Sequence, residues 1–255
     1  MRRVFVLLVG LLLLAAVAVP VDAAAVHVVR HGPRTENRIA LTIDDGWNTP
    51  NCRAMLQVLE RERVPATWFP IGIYVKSRSS FWKEVARLGY PIGNHTWDHK
   101  TLSKLSYQQQ LDEIAHARDT LAAAGIPMVP ILRPPAGAWN NDTLVAAEAA
   151  GYTKLLIWDT TVADSSGHGS DASHLRQATH GRPGSIVLMH CGPDMTVRLL
   201  PQIIASYRSR GFQFVTVPQL LGMPGPVPRF VPSPVDPLPV MTPLFCPHSL
   251  LNVPL

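Results

Sequence analysis

Charge is scarce in this chain. Only 16% of its 255 residues are Asp, Glu, Lys or Arg. No stretch gathers five or six basic residues or threads aromatics through a basic stripe, so the usual signature of a nucleic-acid partner is missing. A net charge of +5 leaves a mildly positive field that suits an anionic polymer such as a cell wall, and a generically basic surface explains it equally well. Cysteine is scarce too. Cys52, Cys191 and Cys246 lack the spacing of a zinc cluster; in an exported chain one pair can oxidise and one cysteine is left over. Between the apolar segments hairpin signals are almost absent, which argues against an antiparallel meander, and no internal repeat is visible. With 47% apolar residues, disorder of the whole chain is excluded.

Only the N-terminus carries a long apolar run. Arg2 and Arg3 precede residues 4–19, and Val21-Asp22-Ala23 follows as a small-residue cleavage site. This layout predicts a signal peptide over 1–24, too short for a comfortable membrane span, and therefore export to the cell envelope or medium; an uncleaved signal anchor is the alternative. No cysteine near the cleavage site offers a lipid anchor. Residues 25–37 read as a lead-in with His27 and His31 on the surface. From 223 to 255 the character changes: ten of the last 32 residues are proline, without helical period, as in an extended tail whose apolar residues could still pack along the domain.

Between these ends, 38–222, strands and helices alternate. Strands are expected over 38–44, 66–71, 91–95, 129–133, 152–158, 185–190 and 212–217. Helices are expected over 51–63, 80–88, from Ser106 to Gly125, from Asn141 to Gly151, and over 171–179 and 197–209, with a Ser- and Gly-rich loop over 159–169. About seven such units predict a single distorted α/β barrel, parallel strands inside and helices outside, with an open doubly wound sheet as the alternative. Working residues would then lie at strand C-termini, where Asp44-Asp45, His95, Arg133, Asp164 and His190 fall. Cys52 and Cys191 both follow strands and would share that rim, which makes them the preferred disulfide pair.

Asp44 and Asp45 close an apolar run and precede Gly46. Taken alone they also read as an Asp-Gly turn. Two adjacent carboxylates stay charged only beside something positive. His95 and His99, four apart, would share a face of a helical turn and present two imidazoles; with one strand-end Asp they form the three-ligand set of an open catalytic metal site. Arg133 offers a fixed cation. After it, Pro134 and Pro135 stiffen a loop whose first free N–H donors belong to Ala136 and Gly137, candidates for half of an oxyanion hole. His190 ends an apolar strand at the same rim. Asn94 and Asn141 begin glycosylation triplets, which chance explains.

Thr42-Ile43-Asp44-Asp45-Gly46, His95-Thr96-Trp97-Asp98-His99, Arg133-Pro134-Pro135-Ala136-Gly137 and Leu188-Met189-His190, in this order, resemble four motifs of the polysaccharide deacetylases (carbohydrate esterase family 4, the NodB-like domain). The resemblance implies a distorted β/α barrel and a hydrolase of carbon–nitrogen bonds other than peptide bonds. It would remove N-acetyl groups from a cell-wall (peptidoglycan) or chitin-like glycan. It implies that Asp45, His95 and His99 hold a divalent metal, zinc first, with Co2+, Ni2+ or Mn2+ as substitutes. Asp44 would be the general base, kept ionised by Arg133. Ala136 N–H would stabilise the oxyanion, Leu188 would line the substrate site, and His190 would protonate the leaving amine, oriented by Asp164 or, in competition, Asp159. Two positions depart from the pattern: Ala136 stands where an aromatic is frequent, and Ser165 where a tryptophan is. Cys191 replaces a frequent aspartate and is read as structural. A monomer acting on an acetylated polysaccharide is expected. The rivals are an O-acetyl esterase of the xylan type and a catalytically silent glycan-binding protein.

Overall fold

The computed structural model describes residues 25–165 and 167–230; the expected signal peptide and most of the proline-rich tail lie outside them. In chain order the elements are β1 (His27–Val29), β2 (Arg38–Asp45), α1 (Thr49–Glu62), β3 (Ala66–Pro70), α2 (Gly72–Ser77), α3 (Ser79–Arg87), α4 (Tyr107–Ala123), β4 (Ile131–Leu132), α5 (Asn141–Ala149), β5 (Lys154–Leu156), β6 (Thr160–Thr161), α6 (Asp171–Ala178), β7 (Ile186–His190), α7 (Asp194–Ser209), β8 (Gln213–Phe214) and α8 (Val217–Leu220).

Every ladder between these strands is parallel. Six consecutive residues of β2 are buried, as expected of a strand covered on both faces, where apolar side chains run on rather than alternate. β2 pairs with β3, with β7 and, at its start, with β8. The hydrogen-bonded order is β3-β2-β7-β6 in one sheet and β1-β5-β4 in the other. Single bridges, Trp68 to Ile92 and Asn94 to Leu132, connect β3 to β4. On the opposite side, residues 154–161 serve both sheets: β5 pairs with β1 and β4, and β6 pairs with β7. The expected barrel is therefore distorted, and its circuit runs through chain continuity and isolated bridges rather than one unbroken ladder.

Ile39, Leu41 and Ile43 face out to α1, α3 and α7 in one apolar layer. Ala40, Phe69, Ile131, Leu156 and Ile186 fill the inside. A third cluster lies between β4, β5 and the helices α4 and α5. Capping follows ordinary side-chain chemistry: Asn48 accepts from Asn51 N–H at the start of α1, and Ser106 with Gln109 forms a capping box on α4.

Several boundaries differ from the sequence reading. The lead-in contributes β1, whose register pairs His27 with Lys154; His27 and His31 are exposed. Residues 91–95 make only the two bridges and no strand. Asn140, not Asn141, caps α5, because its side chain accepts from Thr143 N–H. The expected 159–169 loop contains β6. Helix α2 carries no side-chain cap, the local signal that would have announced it. The start of the tail packs back on the domain: Arg229 N–H donates to Leu88 C=O and Pro228 is buried.

Candidate metal centre and hydrolytic site

Strand ends assemble the site. β2 ends in Asp44 and Asp45, and its register sets Asp44 opposite His190 at the end of β7. Residues two apart share a face, so Thr42 and Asp44 point inward together, with Leu188 and His190 beside them. Gly46 follows with φ +104°, and a Cβ there would run into Trp82; only glycine lets the chain turn away directly after the two carboxylates.

Asp44 is 3% exposed. Its Oδ1 accepts from Arg133 Nη1 at 2.7 Å, and the same nitrogen donates to Thr42 Oγ1 at 2.8 Å. Arg133 is fully buried, its guanidinium carbon 4.4 Å from the centre of the Phe69 ring. Burial lowers the Arg133 pKa and Asp44 opposes that shift.

His95 Nδ1 lies 2.8 Å from Arg133 C=O. That carbonyl can only accept, so Nδ1 carries the proton and Nε2 is left as a lone-pair donor. Nε2 stands 3.6 Å from Asp45 Oδ1, and His99 Nε2 stands 3.7 Å from the same oxygen. These gaps are too long for hydrogen bonds and suit ligands that share an ion through bonds of about 2.0–2.2 Å. Asp45 Oδ1 is buried with no hydrogen-bond partner among the described residues, and all three donor atoms lie within 4.8 Å of one another. Protonation states agree. Burial works against ionisation of Asp45, but His95, with the charges of His190 and His99, outweighs it and holds the carboxyl below its ordinary value. Burial, then the charge of His95, lowers His99 and favours its neutral form. A divalent ion requires a carboxylate and imidazole nitrogens free to donate a lone pair; Asp45 Oδ1 and the Nε2 atoms of His95 and His99 converge as such a set, so the three residues fit one.

The two histidines do not share a helical turn, as their spacing suggested. Residues 94–99 are a bend, with Thr96 at φ 64° and His99 at φ 67°. The bend is clamped from below. Asn94 is fully buried; its Nδ2 donates to Ile114 C=O and its Oδ1 accepts from Thr96 N–H. Glu113, buried on α4, accepts from the N–H groups of Trp97 and Asp98 at 3.2 and 3.1 Å and from Lys100 Nζ at 3.1 Å. Sequence reasoning missed Glu113, because a mid-helix glutamate normally reads as solvated surface.

His190 Nδ1 is 2.7 Å from Asp164 Oδ1, while Asp164 Oδ2 accepts from His190 N–H and from Thr196 Oγ1. Burial disfavours the imidazolium, but the hydrogen bond and charge of Asp164, with Asp44 and Asp45, prevail and raise His190 to about 9. Asp159, the competing candidate, instead pairs with Arg34 at 2.6 Å and accepts from Ile186 N–H, at the start of β7 and away from the rim. Ala136 sits at φ 55° in the turn Pro135–Gly137 and is exposed. Left-handed backbone concentrates at this rim: Asp45, Thr96, His99, Ala136 and Ala163 account for five of the six non-glycine cases among the described residues. Cys52 and Cys191 are joined as a disulfide, Cα atoms 4.7 Å apart, tying α1 to the residue after His190.

A model of the polysaccharide deacetylase family matches residues 31–155. A chitooligosaccharide deacetylase of Bradyrhizobium sp. (strain ANU 289) is 33% identical over 198 residues, which span 71% of this chain and 90% of that protein. The chain belongs to the polysaccharide deacetylase family. Among solved structures, this family member is similar to the Bc1960 peptidoglycan N-acetylglucosamine deacetylase, at TM-score 0.72 and 26% identity over 78% of this chain and 94% of that one. It also shares its fold with a CE4 family pseudoenzyme from Bacillus anthracis, at TM-score 0.71 and 23% identity over 76% and 68% of the two chains. Among the described residues no helix is long and apolar enough to cross a membrane.

Proposed function

We propose that this deacetylase is an exported, metal-dependent hydrolase that removes N-acetyl groups from a cell-wall or chitin-like glycan. One observation carries the reading: the Asp45–His95–His99 donor set adjoins a carboxylate–arginine pair, Asp44 with Arg133, and Asp44 stands across the ladder from His190, which is paired with Asp164. Binding alone needs no such base and acid, which speaks against a silent glycan-binding protein. A divalent ion held by Asp45, His95 and His99, zinc first, would supply Lewis acidity toward water and the acetyl carbonyl.

The chain's own groups do the rest. Asp44, fixed by Arg133, takes a proton from the attacking water as its oxygen bonds to the acetyl carbon. The N–H of Ala136 donates to the oxyanion. His190, charged at neutral pH and oriented by Asp164, gives its proton to the nitrogen as the carbon–nitrogen bond breaks, releasing acetate and a free amine. Positioned acids and bases are each worth about 10²–10⁴-fold and one oxyanion donor about 10²–10³-fold. Leu188 forms apolar wall beneath His190. We take the catalytic domain as 38–222, extended by β1 from the lead-in, which pairs with β5. Export rests on the 1–24 segment, and a disulfide suits an oxidising compartment.

Acetate release by residues 25–255 tests the reading, on N-acetylglucosamine oligomers, peptidoglycan and acetylated xylan, each with zinc and with chelator. Chelator-sensitive release from the amide substrates is expected. Release from xylan alone would make the protein an O-acetyl esterase, and no release from any, with metal bound, would sink deacetylation of these glycans.

A further inference from the structure

The loop after Arg133 presents the small, exposed Ala136 at this rim, so an apolar contact for a glycan here has to come from another side chain. Trp47 is placed to provide it. It lies two residues beyond Asp45, just past the Gly46 turn, and 47% of its surface is exposed. Its neighbour across the rim is Gly192, two residues beyond His190. A Cβ on Gly192 would run into Cε2, Cζ2 and Nε1 of the indole, so the glycine backbone lies directly against the ring. That support is braced. Asn48 Nδ2 and Asn51 Nδ2 both donate to Gly192 C=O, at 3.1 and 2.7 Å, and Cys191 is tied to Cys52. A single exposed apolar side chain is ordinary on a protein surface; its place is what matters. Here it is fixed between the strand end that carries the metal-ligand carboxylate and the strand end that carries the acid.

We infer that Trp47 is the sugar-binding platform of this enzyme, holding a pyranose ring next to the residue that loses its acetyl group and so setting a preference for chains over single sugars. The inference rests on the glycan-deacetylase reading above. The C–H face of a pyranose is apolar and weakly positive, matching the negative face of an indole, and a platform already held by Gly192 binds without an ordering cost.

The test is steady-state kinetics on N-acetylglucosamine oligomers of one to six units, for wild type, Trp47→Leu, which still covers Gly192, and Trp47→Phe, which keeps an aromatic face. The wild-type KM should fall with chain length. Trp47→Leu should raise KM for the longer oligomers about tenfold, the loss expected of one aromatic contact, flatten the length dependence and change kcat less than about twofold. Trp47→Phe should recover most of the affinity. Exchange of another exposed apolar residue, Val145→Ala on α5, is the surface control. An unchanged KM and length dependence in Trp47→Leu, with wild-type turnover intact, would overturn the inference and leave the function standing. If wild type releases no acetate, calorimetric binding of the hexamer decides: binding weakened about tenfold by Trp47→Leu upholds the platform while the deacetylase reading falls, and equal binding or none sinks both.

Discussion

Replacing Asp164 with asparagine would move the proton on His190. At about 9, an imidazole is about 99% protonated at pH 7; at its ordinary 6.5 it is about 24% protonated. Asparagine keeps the shape of the carboxylate but not its charge. Burial, the largest influence on His190 and one that lowers it, then competes only with the Asp44 and Asp45 charges, and the value in Asp164→Asn is expected to fall well below that of the wild type. Folding is linked to the same proton. A histidine raised in the folded state adds stability that is complete below the unfolded value near 6.5 and is lost as pH rises through about 9, worth roughly 3 kcal/mol across that window. Proton-detected titration of the ring in metal-free protein measures the first effect, and urea unfolding at pH 6 and pH 9.5 the second. The wild type should lose more stability between these pH values than the variant. The alkaline limb of activity should retreat from near 9 toward 6.5. A His190 that still titrates near 9 in the variant, or equal pH slopes of stability in both chains, would refute the reasoning.

Asp44→Asn should keep its metal content by atomic absorption and lose about 10²–10⁴-fold in kcat; an unchanged rate removes Asp44 as the base. Glu113→Gln loses the charge that holds the Trp97 and Asp98 amides and should weaken zinc binding about 10–100-fold, the usual cost of disturbing the groups behind a ligand; competition with a chelating dye reads this, and wild-type affinity would make Glu113 merely a helix residue. Cys52→Ala with Cys191→Ala opens a link across a 139-residue separation and should cost about 2–5 kcal/mol of stability, seen as a lower melting temperature that reducing agent does not lower further.

The working rim was legible where local sequence and fold agree. An apolar run ending in Asp44-Asp45-Gly46 reads as a buried parallel strand with a forced turn, and it is one. Ser106 and Gly125 bracket α4 because caps are written in side chains. The His95–His99 spacing suggested a helical turn and found a bend, since Thr96 and His99 adopt left-handed backbone that no residue type announces. Their clamp, Glu113, comes from a helix fourteen residues beyond His99, a relation that only the packed fold creates. β1 was read as a lead-in because three half-exposed residues carry no period; its partner, β5, makes it a strand. β6 hid in a Ser- and Gly-rich stretch for the same reason.

Five non-glycine residues at the rim, Asp45, Thr96, His99, Ala136 and Ala163, stand in the left-handed region, each at a cost of about 1 kcal/mol or more. The rim is thus a wound spring, and the strands and helices beneath it are what keep it wound. Warming or denaturant should release it first: the geometry of the hydrolytic groups would slacken, and turnover fade, at temperatures where the barrel still gives the circular dichroism of a folded protein.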